Sequence, residues 1–402
     1  MTLPILTDRH RIGTDAKCPR LRQLEYEHCG RGLQLGSGTA LDIGSAVHKG
    51  ISLPLDFLRK DAISAIPHTL YSLKQMGSRV FLEDSIACAL SCKEALRLEN
   101  PDDRDLVEAL VRTWWFVMLP MLNGWKILDV EREEAFEHRI PREDGAVIDT
   151  HPLIYVEDTI VKFMSRLDLL AAPERDVYLN GVLVPPGEYN WNWETAKRCD
   201  DKWRTAFLYD PQPLTELLGP EQRLGHKLAG FIAGGLVKEN HPLVWLWRNR
   251  ETRETQARYE YTCEGVHPFR YAKGGFCQGG KKHKLGEEWK RTPVRDTVEG
   301  GQAAWFEHLC KNDPLLLREY VSVAGPFSRR SDCEIEEWLE SNMRREAEIA
   351  AVRSAEPFDE AVLRRVFPKR TAKGNCIWPY ECPALKICWG AQSLEEFPWR
   401  EP

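Results

Sequence analysis

Three thiols stand close together near the end of the chain, Cys376, Cys382 and Cys388, in a Cys-x5-Cys-x5-Cys pattern. Thiolates are soft donors, and three at this spacing point to a metal. A fourth ligand is then required, and Cys18 is the candidate. Structural zinc sites use tighter Cys-x2-4-Cys pairs, whereas an iron–sulfur cluster on four thiolates accepts more varied spacing. Spacing alone leaves both open, beside the plain alternative of unrelated buried thiols. A second group is acidic. Asp168 lies between Leu167 and Leu169, where an acid is costly unless paired or bound to a cation; a strand-edge acid facing water is the simpler alternative. In Trp191-Asn192-Trp193-Glu194-Thr195-Ala196-Lys197 the side chains of an extended chain would alternate. Asn192 and Glu194 then share one face and the two tryptophans the other. Oxygen ligands on one face beside Asp168 suit a hard cation such as Mg2+, with a solvent-facing polar edge as the alternative. His48 follows Gly44-Ser45-Ala46-Val47 at a predicted helix start. Alone it is more simply a core histidine than a ligand.

A third feature is charge. The chain has 402 residues, 55 of them Lys or Arg and 61 Asp or Glu, for a net charge of −6. A polyanion-binding protein with this balance must concentrate its positive charge locally. Residues 270–295 do so, with eight basic residues, Lys281, Lys282 and Lys284 among them, against Glu287 and Glu288. Hydrophobic residues make up 43% and charged residues 29%, which excludes collagen-like, low-complexity and mostly disordered classes. The first residues lack the apolar run of a secretory signal, and no stretch reaches the ~18 apolar residues of a membrane span. A cytoplasmic setting is expected, where disulfides are rare. Cysteines elsewhere then read as small buried hydrophobes.

The elements that must position these groups follow from periodicity. Residues 55–123 have helical spacing, with Leu106, Leu110, Trp114 and Val117 on one stripe, and Asn123-Gly124 breaks the run. From Trp125 the texture is that of strands, through Ile127-Leu128, Val161–Leu170 and 182–193. A helix is predicted over 220–236 on Leu224, Leu228, Phe231 and Ile232, placing Gln222 and His226 four apart on one face. Residues 264–297 look irregular, and 299–352 look helical again. The segments expected are 1–54, a helical insertion over 55–124, a core over 125–262, a basic Gly-rich loop over 263–298, and a helical C-terminal region over 299–402. At roughly 150 residues per domain the length allows two or three domains or one elaborated core.

In order, these pieces resemble the PD-(D/E)XK nuclease superfamily, in particular its RecB-type, iron–sulfur-bearing branch, which includes phage-encoded and CRISPR-adaptation exonucleases. The resemblance runs from Cys18-Pro19-Arg20 through Gly44-x-x-x-His48, Val130-Glu131, Arg166-x-Asp168-Leu169 and Gln222-x-x-Gly225-His226 to Cys376, Cys382-Pro383 and Cys388. His226 stands where the family has Tyr. The resemblance implies an α/β fold with a restriction-endonuclease-like central mixed sheet flanked by helices. It also implies a Mg2+- or Mn2+-dependent deoxyribonuclease acting on single- or double-stranded DNA ends. Such an enzyme would serve phage or bacterial recombination, repair or replication, with partner proteins from those processes and no membrane. By the same resemblance Cys18, Cys376, Cys382 and Cys388 would hold a [4Fe-4S] cluster, with zinc as the alternative. Asp168, Glu194, Asn192 and His48 would hold the catalytic metal, and Gln222 and His226 would face the DNA.

One departure matters. The family's third motif is Asp/Glu-x-Lys-Thr, and aligned on Thr195 this chain reads Asn192-Trp193-Glu194-Thr195. Glu194 could take the metal while Lys197 reaches back from past the strand end. The site could instead work without a lysine, on Asp168, Asn192 and Glu194. A third possibility is lost catalysis, leaving a DNA-end-binding accessory protein. A zinc-stabilised interaction module is a further alternative.

Overall fold

The computed structural model describes residues 5–35, 39–63, 78–140, 159–258, 260–263, 267–270, 289–352, 358–370, 376, 382–388 and 390–400. Six strands form its central mixed sheet: β1 (Ile5–Asp8), β2 (Trp125–Ile140), β3 (Thr159–Pro173), β4 (Tyr189–Ala196), β5 (Gly230–Val237) and β6 (Val321–Ser328). β2 runs antiparallel to β3 along almost its whole length, from Trp125↔Pro173 to Ile140↔Thr159. The other edge of β3 is divided. β1 pairs parallel with its first half, ending at Asp8↔Met164. β4 pairs antiparallel with its second half, starting at Leu169↔Trp191. Between these two pairings, Ser165 to Asp168 face an open gap. β4 continues parallel to β5, and β5 antiparallel to β6.

Both faces of the sheet are covered, as strand composition requires. Along β3, Val161, Phe163 and Leu167 alternate toward one face and are almost fully buried, while Leu169, Leu170 and Ala171 are buried on both. On one face lie α2 (Thr39–Ile63), α3 (Ser78–Ser91) and α4 (Pro101–Val117). Val47, Ile51, Leu110 and Trp114 from these helices join Leu169, Trp191, Trp193 and Ile232 in the largest core. On the other face lie α6 (Gln212–Leu224) and α7 (Asp332–Val352), after the short α5 (Asp201–Ala206). There Leu214, Leu218, Ile335 and Met343 pack on Val161 and Phe163. α6 comes close because Gly219 leaves no side chain where a Cβ would stand 2.7 Å from the Cβ of Glu134. The arrangement is a three-layer α/β/α stack, and no described helix is long and apolar enough to cross a membrane.

The structure corrects several expectations. Residues 220–236 are not one helix: α6 ends at Leu224, Gly225 caps it with a left-handed φ of 74°, and Gly230–Val237 is β5. A strand buried on both faces is a continuous apolar run, which periodicity does not separate from a helix. Residues 299–352 are interrupted by β6, an edge of the central sheet. α2 runs straight through the boundary expected at residue 54, and the helices of 78–117 share the sheet's core rather than forming a separate insertion. The segment read as irregular contributes the short strands His267–Arg270 and Trp289–Pro293. Lys281, Lys282 and Lys284 lie outside the described residues.

The chain's two ends are fastened together. After α1 (Arg9–Lys17), the buried guanidinium of Arg22 reaches Glu27 at 3.0 Å and both carboxylate oxygens of Glu346 on α7, at 3.1 and 2.9 Å. Arg345 adds a two-pronged bond to Asp15. Removing one partner of a buried pair leaves charge without compensation. Glu346→Ala should therefore lower the unfolding free energy by about 3 kcal/mol. Glu360→Ala, which breaks the exposed pair with Arg364, should change it by less than about 1 kcal/mol. Chemical denaturation of both variants checks the contrast.

Candidate metal centre

The gap in β3 is where the candidate ligands meet. Asp168 is 4% exposed, and its Oδ2 accepts a 2.7 Å hydrogen bond from the backbone N–H of Trp193. Its Oδ1 lies 3.0 Å from Nδ1 of His48. β4 has already left β3 at this point, so the carboxylate does what a ladder bond would otherwise do. Trp193 is fixed from below, with its ring edge-on to Trp114 of α4 at 5.7 Å. α2 brings His48 to the gap, with Gly44 one turn earlier on the same face beside Thr195, whose hydroxyl would stand at an ordinary 3.6 Å from a Cβ added there.

Glu131 completes the group. It lies between the register pairs Val130↔Leu169 and Arg132↔Leu167 and has a left-handed φ of 49°. Its Oε1 is 3.6 Å from the His48 Nδ1, and its other oxygen is ion-paired with Arg166. Among the described residues, His48, Glu131 and Asp168 are the group of three side chains whose ligand atoms lie within 4.8 Å of one another. One imidazole nitrogen and two carboxylate oxygens are a donor set that suits a hard divalent cation. Burial alone would push the His48 imidazole down, but Asp168 and Glu131 outweigh it and hold its pKa at about 10. A cation entering this site must displace that proton.

The remaining predicted residues divide. Glu194 is nearby but outside the close group; its carboxylate accepts from the indole N–H of Trp203 at 3.2 Å. Asn192 accepts from the side-chain amide of Gln212 at 3.0 Å. Lys197 does not reach back: it is exposed and paired with Glu239 at 3.6 Å. Gln222 and His226 do not join the site either. Gln222 bonds the backbone of Glu137 at 2.9 and 3.3 Å, and His226 bonds Glu188 at 2.8 Å. Three site residues go beyond the sequence-based site list. Glu131 entered the sequence reading only through the Val-Glu strand of the resemblance, not as a site residue. Gln212 and Glu216 lie on α6, four apart and therefore on one face, in a segment whose only sequence signal is Asp210-Pro211 before a helix.

Three of the four cysteines lie together. Cys18, Cys382 and Cys388 share a small core with Leu21, Leu24 and Leu33, and the N–H of Cys382 donates to the carbonyl of Cys376 at 2.8 Å. Burial pushes the Cys382 thiol up, with Cys18 and Cys376 adding to the effect. Cys388 is raised likewise by burial, then by Cys18 and Cys382. Yet no three of these thiols close within 4.8 Å among the described residues, wider than the about 3.8 Å between sulfurs on a tetrahedral zinc with 2.3 Å bonds.

Glu216 is buried, and its backbone carbonyl accepts from Asn190. Burial raises its carboxyl to about 8, with Asp168 and Glu194 adding and Arg9 and His48 opposing. A carboxyl raised from 4.5 costs nothing below pH 4.5 and an increasing amount as pH climbs to about 8. In chelator, Glu216→Gln should leave the melting temperature nearly unchanged at pH 5 and raise it at pH 8.5; calorimetry at the two pH values measures the difference. No protein-family model matches this chain, and no curated protein matches it.

Proposed function

We propose that this chain is a metal-dependent deoxyribonuclease that hydrolyses phosphodiester bonds at DNA ends. The observation that carries the reading is the convergence of His48, Glu131 and Asp168 at an open sheet edge, with Glu194 and Glu216 beside them. A divalent cation bound there would polarise the phosphoryl oxygens and lower the pKa of a water. Asp168 and Glu131 supply the negative charge that selects such a cation, and His48 gives up its proton to bind it. Trp193 holds the Asp168 oxygen in place through its amide. In hydrolysis the water oxygen bonds to phosphorus and the bond to the leaving deoxyribose oxygen breaks. The water's proton passes to a site carboxylate, and the leaving oxygen takes one from solvent. We also propose a [4Fe-4S] cluster on Cys18, Cys376, Cys382 and Cys388, a reading supported by the core that Cys18, Cys382 and Cys388 share and by the backbone bond from Cys382 to Cys376.

A second reading, a DNA-end-binding accessory protein without catalysis, is favoured by Asn192 being engaged with Gln212 and Lys197 with Glu239. Cleavage decides between them. Asp168→Ala and Glu131→Ala should each lower Mn2+-dependent digestion of linear DNA by at least about 100-fold. DNA binding should persist in both, because a ligand is lost rather than a core contact. If wild-type protein digests neither single- nor double-stranded DNA with Mg2+ or Mn2+, the accessory reading stands. Anaerobically purified protein should be brown and contain iron, and Cys382→Ser should abolish the colour. Stoichiometric zinc without iron would overturn the cluster.

A further inference from the structure

The departure at β4 leaves the site with carboxylates but with no lysine on the strand. Several cations near it are committed elsewhere. Lys197 and Arg198 both pair with Glu239. Arg166 pairs with Glu131, and Arg223 pairs with Asp129 and Glu134. Arg9 differs. It is the first residue after β1, whose last pairing is Asp8↔Met164, so the chain delivers it to the mouth of the gap that ends at Asp168. It is partly buried, and among the described residues it makes no hydrogen bond or ion pair. Glu216, buried on the α6 side of the same gap, feels Arg9 more strongly than it feels Asp168, Glu194 or His48. A half-buried guanidinium at the mouth of the gap that closes on no described acid is poised for an anion that arrives from outside.

Resting on the nuclease reading, we propose that Arg9 is the cation that binds the phosphate at this site, in place of the strand lysine. Its planar fork can donate two parallel N–H groups to the non-bridging phosphate oxygens, a geometry to which guanidinium is suited. No bond to Arg9 forms or breaks. It holds the phosphate beside the His48–Glu131–Asp168 group and offsets negative charge as the fifth oxygen approaches phosphorus. The inference assigns to the N-terminal segment a role that residues of β4 and its flank do not fill.

Binding of inorganic phosphate to the Mn2+-loaded full chain tests this, read by the paramagnetic broadening of its 31P resonance, with Mn2+ affinity measured separately by electron paramagnetic resonance. Arg9→Ala and Arg9→Gln should weaken phosphate binding about 10- to 100-fold, the worth of a charged hydrogen-bond pair, with Mn2+ affinity unchanged. Arg9→Lys should keep most of it, and Lys197→Ala should match wild type. A merely structural Arg9 that neutralises Glu216 would be rescued by removing that acid, so R9A combined with E216Q separates the roles. Restored phosphate binding in the double variant overturns the proposal. Wild-type phosphate affinity in both R9A and R9Q, or loss in K197A instead, overturns it as well, as does a wild-type protein that binds Mn2+ but no phosphate. A protein that binds phosphate through Arg9 yet cuts no DNA would end the nuclease reading and leave this assignment standing.

Discussion

The hydrogen bond from the Trp193 amide to the Asp168 carboxylate is the joint on which the site turns. A central sheet normally satisfies each backbone donor with the neighbouring strand, but β4 leaves β3 after Leu169↔Trp191, and the donor of Trp193 is buried. A charged acceptor there is worth about 1.5–3 kcal/mol, and its removal would leave a dry N–H. The carboxylate is thus held by the fold on one oxygen and free to serve chemistry with the other. His48, carried on α2, takes that second oxygen. Two layers and two strands therefore meet through a single side chain. Any change in the departure angle of β4 is felt first at the site.

The rest of the molecule keeps that geometry rigid from two directions. Below β4, Trp114 meets Trp193 and Trp125 meets Trp191 edge to face, while Trp191 and Trp193 are tilted at 36°; aromatic pairs of this kind add about 0.5–1.5 kcal/mol each beyond burial. Above, α6 rests on β2 through Gly219 and carries Gln212 and Glu216 to the gap. The buried Arg22–Glu27–Glu346 cluster binds the N-terminal segment to α7. Because β1 and Arg9 belong to that same segment, fastening the chain's ends also fixes one wall of the site.

Legibility in the sequence followed the range of the interactions. Asp168 stood out because an acid inside Leu167–Leu170 has to be explained, and the strand texture of Val161–Leu170 marked β3 correctly. His48 became a candidate only in company with other pieces. β5 read as a helix since Phe231-Ile232-Ala233 is apolar without interruption, and β6 was hidden in a helical stretch as a short edge strand. Glu131 carried no local signal for its backbone conformation. Gln212, Glu216 and Arg9 were illegible for a different reason: they reach the site by strand order and helix packing, over separations at which no local pattern survives. The alternatives for the missing lysine looked only near residue 194, while the topology brings a cation from residue 9.

Glu131 has one more consequence. A side chain at φ 49° sits where glycine or asparagine would rest with less strain, at a cost of about 1–3 kcal/mol. Selection for stability alone would erode the carboxylate at that position. Under the proposed reading, that strain is the cost of holding a carboxylate beside His48. Glycine or asparagine at 131 would relieve the strain but give up the ion pair that links β2 to Arg166 on β3.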